Sequence, residues 1–294
     1  MISRHAKVSV IVPAHNAAKH IRRCVGSIGA QTHDNLEIIA VDDASSDGTG
    51  EVLGELAAQD ARVKLVRSTR NLGVHGARRM GLRQATGDLI GFVDADDYIE
   101  AGMYSTLHSS LVETGAAIAI CAASCVVDRR AIGTKVAFRS ANLIEGDVLS
   151  RFCRLKLGSG VLWNKLYVRE VIEPPAMKEL ERAVDASEDY IVNFGAFAAA
   201  SSAVTCPAKL YNYVLHPGNA SAQGDSWASF ARLFRAYVVC LELYAVENPA
   251  HAPLIDQLYL KQLHFSGYRV GAAEPAEAVR NHLAESLRRL ADSS

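Results

Sequence analysis

The sequence lacks the features that define several protein classes. Its 294 residues contain no apolar run of about 18 residues that could span a membrane, and no secretory signal precedes the first strand-like segment. Lysine and arginine nearly balance aspartate and glutamate, which leaves a net charge of −1. A nucleic acid is therefore not expected as the main partner.

Cysteines are few and scattered. The six thiols are Cys24, Cys121, Cys125, Cys153, Cys206 and Cys240. Cys121 and Cys125 lie four residues apart, but no second pair and no clustered histidines complete a zinc pattern. We expect reduced, mostly buried thiols in a cytoplasmic protein.

The first hundred residues alternate between strand-like and helix-like segments. Strands are predicted at 8–13, 36–43, 63–66 and 89–94, with helices at 17–30, from about Glu51, and at 74–84. Short connections between such units predict an α/β fold with a parallel, doubly wound sheet. No Gly-x-Gly-x-x-Gly follows the first strand, so a dinucleotide site of the dehydrogenase type is not expected.

The later residues are more mixed. We predict helices at 101–113, 147–157 and 188–200, and strands at 117–127 and 204–215. A hairpin is predicted at 129–140. From Ser226 the chain should be helical, with a break at Asn248-Pro249 and an amphipathic tail after Ala272. The apolar stripes after 226 are interpreted as a helical core. The alternative is a patch that rests on a membrane surface or binds a lipid-linked acceptor.

The stretch 88–97 ends an apolar strand in three carboxylates, Asp94, Asp96 and Asp97. Ligands of open α/β sheets bind at the carboxyl ends of such strands. Hard divalent cations prefer carboxylate oxygens and often take substrate phosphates as well. A cap for the next helix is the alternative, but a cap needs one aspartate, so the stretch predicts a metal and phosphate site.

Several motifs occur in a fixed order along the chain. They are VSVIVPAHN at 8–16, EIIAVDDASSDGT at 37–49, NLG at 71–73, AR at 77–78, FVDADD at 92–97, WNKLY at 163–167, ED at 188–189, and YNY at 211–213 continuing to Ser221. With this order and spacing, residues 7–222 resemble the inverting glycosyltransferases of family 2, which have the GT-A fold. The chain looks closest to bacterial members that build capsular, exopolysaccharide or wall glycans. It departs from the family at His15, Ala44 and Arg79, where Tyr, Gly and Asn are usual.

The resemblance implies a division of the chain. Residues 1–222 would form the GT-A domain, with a nucleotide-sugar-binding half at 1–100 and an acceptor and catalytic half at 101–222. A C-terminal helical region would follow at 223–294. A cytoplasmic protein is implied, with peripheral association at the inner face of the cell membrane as an open alternative.

The resemblance also implies a UDP-sugar donor and a saccharide or lipid-linked saccharide acceptor. The donor site would consist of Pro13, His15, Asn16, Asp43, Arg78, Asp94, Ala95, Trp163 and Lys165. Asp43 would recognise the base, and His15 would stack on it. Each residue has an ordinary structural alternative: a turn aspartate, a loop histidine, a solvated arginine or a core tryptophan.

The cofactor implied is Mn²⁺ or Mg²⁺, held by Asp96, Asp94 and His216, with Ser221 as a weaker candidate for the same site. Asp189 would be the catalytic base, and Glu188 would orient it or bind acceptor hydroxyls. Acids in the first turn of a helix are also favoured by the helix dipole alone, so a structural role is the alternative.

Two other functions compete with glycosyl transfer. A sugar nucleotidyltransferase would need a glycine-rich loop bearing Lys or Arg after the first strand, and 13–20 offer none. A non-catalytic nucleotide-sugar-binding subunit of a polysaccharide assembly would not need the acids at Asp94, Asp96 and Asp189.

Overall fold

The computed structural model describes residues 2–180, 187–216 and 226–265. The predicted site residue Ser221, the predicted domain boundary at 222 and the predicted amphipathic tail after Ala272 lie outside these ranges. No helix within them is long and apolar enough to cross a membrane. All six cysteines are unpaired thiols, and five of them are buried.

The first part of the chain forms the predicted parallel sheet. Its elements are β1 (Val8–Ala14), α1 (Ile21–Gly29), β2 (Leu36–Asp42), α2 (Thr49–Gln59), β3 (Val63–Arg67), α3 (Gly73–Leu82) and β4 (Leu89–Phe92). The four strands are parallel in the order β3-β2-β1-β4. The prediction of a doubly wound α/β sheet is confirmed. Strand β4 ends at Phe92, so Asp94 and Asp96 belong to the turn that follows it.

The later residues extend the same sheet. Their elements are β5 (Tyr98–Ile99), α4 (Met103–Thr114), β6 (Ile118–Val127), β7 (Arg130–Val136), β8 (Asn142–Glu145), α5 (Val148–Cys153), β9 (Lys165–Val168), α6 (Arg169–Met177), α7 (Glu188–Ala199), β10 (Ser202–Val214), α8 (Ser226–Cys240) and α9 (Ala252–Phe265). Across the described residues the strand order is β3-β2-β1-β4-β9-β6-β10-β5, with β7 beside β6 and β8 beside β10.

Strand β9 joins the two parts of the sheet, and the sequence did not predict it. It runs antiparallel between β4 and β6, with Tyr167 opposite Ile90 on one side and Ile118 on the other. A short run that begins with a lysine does not look like a central strand. Here the Lys165 side chain is nonetheless fully buried.

Helix α3 packs very close to the sheet. A Cβ atom on Gly81 would lie 2.7 Å from Cγ2 of Ile11 on β1 and 3.0 Å from Cγ2 of Val41 on β2. Only glycine permits this approach. The close contact fixes the position of Arg78, one turn earlier on the same helix.

The opposite end of the sheet is held by a buried carboxylate. Glu37 accepts hydrogen bonds from Ser9 Oγ (2.6 Å), Lys64 Nζ (2.7 Å), Lys7 Nζ (3.0 Å) and the Thr86 N–H (2.7 Å). Burial alone would raise the pKa of Glu37, but these partners together lower it well below the usual range. The network ties β1, β2, β3 and the α3–β4 turn together, far from the carboxyl ends of the strands.

The C-terminal helices cover α5 and α7. The rings of Tyr237 and Tyr259 stack at 4.5 Å between α8 and α9, and Tyr237 donates to Asp256 at 2.8 Å. Leu233, Ile255 and other apolar side chains of these helices are buried in the same core as α7. The interpretation of the apolar stripes as a helical core is confirmed for the described residues. The predicted break at Asn248-Pro249 is also present, as a 3₁₀ turn that Asn248 caps.

Candidate active site

The carboxyl edge of the parallel sheet brings the first predicted residues together. Asp43 follows β2, is 2% exposed, and accepts the Leu72 N–H at 2.7 Å. Its own N–H donates to the carbonyl of Ala14 at the end of β1. The Asp43 carboxylate is therefore fixed between the ends of two strands and the loop before α3.

His15 and Asn16 lie beside Asp43. Nδ1 of His15 donates to the Asp43 carbonyl at 2.8 Å, and Nε2 accepts from Asn71 Nδ2 at 3.0 Å. These two partners define the tautomer with the proton on Nδ1. The Asn16 side chain accepts the Ser46 N–H at 2.9 Å. Pro13 is also at this edge, but it lies within β1 and is buried.

One departure from the resembled family, Ala44, lies in the loop after Asp43. Ala44 has φ 54, in the left-handed region that glycine adopts without strain. A side chain at such a position costs about 1–2 kcal/mol. This backbone requirement accounts for the glycine that the resembled family usually has here.

Arg78 is the centre of the site. The residue is 4% exposed, and its guanidinium contacts three carboxylates: Asp94 at 2.9 Å, Asp189 at 2.6 Å and Glu188 at 2.5 Å. Burial alone would lower the pKa of Arg78, but attraction to these carboxylates outweighs it and raises the pKa further above its usual value. One buried cation thus connects α3, the turn after β4 and the start of α7.

The two acids of α7 have different environments. Glu188 is 2% exposed, and burial together with the charge of Asp189 raises its pKa despite the nearby Arg78. Asp189 keeps 17% of its side chain exposed. Its Oδ1 accepts from Arg78, and its Oδ2 accepts the Leu162 N–H at 3.2 Å. Asp189 is therefore both oriented and accessible, as a general base must be.

Asp96 lies beside the predicted metal ligand His216. Oδ2 of Asp96 is 2.9 Å from Nε2 of His216, and the His216 ring stacks on His20 with centroids 4.9 Å apart. The pair is held in place by Asp97, which is fully buried. Asp97 accepts the hydroxyl of Tyr211 and the N–H of Val214, both at 2.7 Å. Asp97 thus fixes the end of β10 against the acidic turn.

A divalent cation fits this arrangement with ligands from outside the chain. Asp96 and His216 are close enough to share one ion in place of their hydrogen bond. Among the described residues, no group of three His, Cys, Asp or Glu side chains could hold a metal ion alone. Diphosphate oxygens and water would have to complete the shell, which is how Mg²⁺ commonly binds. The second predicted carboxylate, Asp94, instead contacts Arg78.

Three other predicted donor residues are buried under the site. Trp163 is 2% exposed and stacks on Tyr211 at 4.1 Å. Lys165 is fully buried, donates to the carbonyls of Val161 and Ser159, and has its pKa lowered to about 7 by burial. The Ala95 side chain is 8% exposed. Contact of these three residues with a donor stays a prediction. In the structure, Trp163 and Lys165 lie beneath the surface of the site.

Sequence reasoning missed the segment that orients Asp189. Gly160 accepts from Asn193 Nδ2 at 2.6 Å, and a Cβ on Gly160 would overlap the ring of Tyr190. This close packing holds the backbone that presents the Leu162 N–H to Asp189. A backbone amide leaves no mark in the sequence, and only the isolated glycine at 160 could have indicated a close approach.

The comparisons with known proteins identify a family. The model of glycosyl transferase family 2 matches residues 9–173. The chain is 32% identical to the putative glycosyltransferase EpsH of Bacillus subtilis over 71% of this chain and 61% of that protein. It is 29% identical to the uncharacterised glycosyltransferase YibD of Escherichia coli over 92% of this chain and 80% of that protein. The match to the glycosyltransferase GlyA of Streptococcus pneumoniae, 40% identical over 39% of this chain, spans only 16% of that protein.

Solved structures share the fold. S. aureus TarS 1–349 in complex with UDP-GlcNAc superposes with a TM-score of 0.70 and 24% identity, covering 90% of this chain and 74% of that one. The mannosyltransferase PcManGT of Pyrobaculum calidifontis, in complex with GDP-Man and Mn²⁺, gives a TM-score of 0.58 and 20% identity, covering 96% and 81%. The sheet with flanking helices is therefore of the GT-A type.

Proposed function

Because the chain belongs to glycosyl transferase family 2, we propose that it transfers a sugar from a UDP-sugar to a saccharide or lipid-linked saccharide and inverts the anomeric configuration. One observation carries this proposal. Arg78 joins Asp94, at the edge of the donor half, to Asp189, which arrives from a segment 95 positions later in the sequence. The carboxylate proposed to lie beside the diphosphate and the candidate base thus belong to one cluster.

On the donor side, Asp43 and His15 would hold the nucleoside, and Asp94 and Asp96 would face the diphosphate. The GT-A relative TarS, solved with UDP and with UDP-GlcNAc, supports a UDP-sugar as donor. Mn²⁺ or Mg²⁺ bound by Asp96 and His216 would supply positive charge to the diphosphate. A cation in the PcManGT complex supports metal use in this fold.

On the acceptor side, the accessible carboxylate of Asp189 would take the proton of an acceptor hydroxyl. The hydroxyl oxygen then forms a bond to the anomeric carbon as the bond from that carbon to the UDP oxygen breaks. The electron pair of the broken bond leaves with UDP. Glu188, whose raised pKa favours its neutral form, would keep a second full negative charge away from Asp189 while Arg78 fixes both groups.

The motif resemblance supports an acceptor from bacterial surface polysaccharide synthesis. A lipid-linked acceptor of this kind would place the reaction at the inner face of the cell membrane.

Metal-dependent release of UDP tests the proposal. The purified protein is incubated with a panel of UDP-sugars, with Mn²⁺ or with EDTA, and released UDP is measured. We expect release with Mn²⁺ that EDTA abolishes and that Asp96→Ala lowers about hundredfold or more. Asp88→Ala is the matched control, because Asp88 is an exposed acid at the opposite end of β4.

Two results would contradict the proposal. UDP release that does not depend on metal would refute the role of Asp96. Calorimetric binding of UDP-sugars without turnover over a broad acceptor panel would favour the non-catalytic subunit. Proton NMR of the first product tests inversion, since retention of the anomeric configuration would exclude a single displacement.

A further inference from the structure

A second concave surface lies next to the donor side of the site. It is a groove of about 540 Å³ between the end of β3, one face of α3 and the residues that follow α6. Its lining includes Arg67, Arg70, Leu72, Arg79, Arg83 and Glu179. We call this surface the arginine groove. None of the residues placed above in the donor or catalytic site lines it.

The lining is strongly cationic. Among the lining residues that the structure describes, there are four arginines, at 67, 70, 79 and 83, and one acidic residue, Glu179. The chain as a whole has a net charge of −1, so this excess of positive charge is local. Arg79 lies 3.5 Å from Glu179, whose side chain is 89% exposed, and that long, solvated contact offsets little of the charge.

Two other arginines in the same half of the chain have carboxylate partners. Arg22 contacts Glu55, and Arg62 forms a close pair with Asp60 at 2.8 Å. By contrast, Arg70 and Arg83 are exposed and form no ion pair with any described residue. Exposed guanidinium groups beside a concavity, without carboxylate partners among the described residues, suit an anionic ligand.

The floor of the arginine groove is fixed. Arg67 donates to the Gly50 carbonyl at 3.0 Å, and His75 contacts the Lys178 carbonyl at 2.8 Å. Nε of Arg79 is buried and has no hydrogen-bond partner among the described residues.

The groove also adjoins the donor site directly. Leu72 lines the groove, and its N–H donates to Asp43. Arg79 lines the groove, and its neighbour Arg78 holds the catalytic acids. The groove and the candidate donor site therefore share the Leu72 backbone and helix α3.

We propose that the arginine groove binds a ligand that carries two or more phosphate groups in a flexible chain. If the proposed function holds, this ligand is the phosphate-bearing part of the acceptor. Phosphate oxygens accept paired hydrogen bonds from guanidinium groups, which suits the exposed side chains of Arg70 and Arg83. The concave shape and the lack of a strongly exposed apolar side chain in the lining favour a phosphate chain over a flat lipid surface.

Binding of tripolyphosphate tests the proposal. Calorimetry in metal-free buffer compares the wild-type protein with R70Q/R83Q and with R130Q/R151Q. The second double variant is the matched control, because it also removes two exposed arginines that have no ion pair with a described residue. We expect R70Q/R83Q to raise the dissociation constant for tripolyphosphate about tenfold or more, because two charged hydrogen-bond donors are lost. The control should stay within about twofold.

Other outcomes separate the alternatives. Equal binding by both double variants, or no binding by the wild type, would overturn the proposal. Binding of phosphatidylglycerol vesicles, but not of tripolyphosphate, would assign the arginines to a membrane surface instead. Metal-dependent UDP release by R70Q/R83Q should remain within about twofold of wild type, because neither residue belongs to the donor site. If the wild type binds tripolyphosphate but releases no UDP, the proposed function fails and the groove assignment stands.

Discussion

Replacing Arg78 with methionine is expected to destabilise the protein in a pH-dependent way. Arg78 is 4% exposed, and its guanidinium contacts three carboxylates at 2.5–2.9 Å. Its removal leaves those acids close together and without a counter-charge. Breaking a buried ion pair by deleting one partner costs about 3–5 kcal/mol, and we expect a loss in this range near pH 8.

The sign of the pH dependence follows from the carboxylates. Even with Arg78 present, burial raises the pKa of Asp94 to about 6, and the pKa of Glu188 is also raised. Without Arg78 the pKa values of both carboxyl groups rise further in the folded state. Between about pH 4, where these groups titrate in the unfolded chain, and their raised folded-state pKa values, the folded form therefore binds more protons than the unfolded form. The stability of R78M therefore falls as pH rises, and its deficit against wild type is smallest near pH 4.

Urea unfolding of both proteins at several pH values measures this difference. Arg22→Met is the control, because Arg22 and Glu55 are 53% and 60% exposed and such pairs contribute at most about 1 kcal/mol. A deficit of R78M below about 1 kcal/mol at pH 8, or one that does not change with pH, would refute the reasoning.

Three further predictions concern other parts of the structure. Gly160→Ala forces a Cβ into the ring of Tyr190, so we expect a loss of about 1–3 kcal/mol in urea unfolding and a clear fall in UDP release. Glu37→Gln should lower the free energy of unfolding by about 2 kcal/mol near neutral pH and leave UDP release unchanged. Because the pKa of Glu37 is lowered in the folded protein, the stability advantage of the wild type is fully present above about pH 4.5. It shrinks as the pH falls below that value. His216→Ala should raise the Mn²⁺ concentration for half-maximal UDP release about tenfold or more, since a neighbour of Asp96 is lost.

Each of these has a check. Gly133→Ala is the control for the glycine variant, because a Cβ there meets nothing within 4 Å. Normal UDP release by the Gly160 variant would mean that the segment does not orient Asp189. A Glu37→Gln deficit that persists unchanged at pH 3 would contradict the charge-based explanation. An unaltered Mn²⁺ requirement after loss of His216 would remove that residue from the proposed metal site.

The meeting of Asp43 and Asp94 at one edge of the sheet could be predicted from the sequence because it follows from local rules, and their role in donor binding stays a prediction. Asp43 and Asp94 each come at or just after the end of a buried strand, and parallel strands present their carboxyl ends at one edge. The alternation of strands and helices was sufficient to place that edge. Metal binding by Asp96 is still a prediction, although its contact with His216 agrees with it.

The catalytic side required the family resemblance. Asp189 is separated from Asp94 by most of the second half of the sheet, and no local pattern relates them. Arg78 was expected to reach the base or the phosphates of a donor. In the structure it contacts three acids instead, and contact with a donor stays a prediction. Pairing of this kind depends on how α7 packs against α3, which the sequence of either helix alone does not specify.

Strand β9 was missed for a related reason. Its first residue is Lys165, and a charged residue argues against a buried central strand. The lysine is tolerated because nearby carbonyl groups at 159 and 161 accept its hydrogen bonds. Those acceptors belong to the same segment that presents Leu162 to Asp189. The buried lysine that made the strand hard to predict is therefore bonded to the segment that orients Asp189 in the candidate active site.

The central claim is that Asp189 is the base next to a separate donor-phosphate site. Asp189→Asn tests it most directly, because the amide keeps the shape of the side chain and an oxygen for the Leu162 N–H. The turnover number for transfer and the dissociation constant for the UDP-sugar are measured on the same preparation. The account predicts that turnover falls about hundredfold or more while donor binding stays within about threefold of wild type. Turnover within about tenfold of wild type would contradict it.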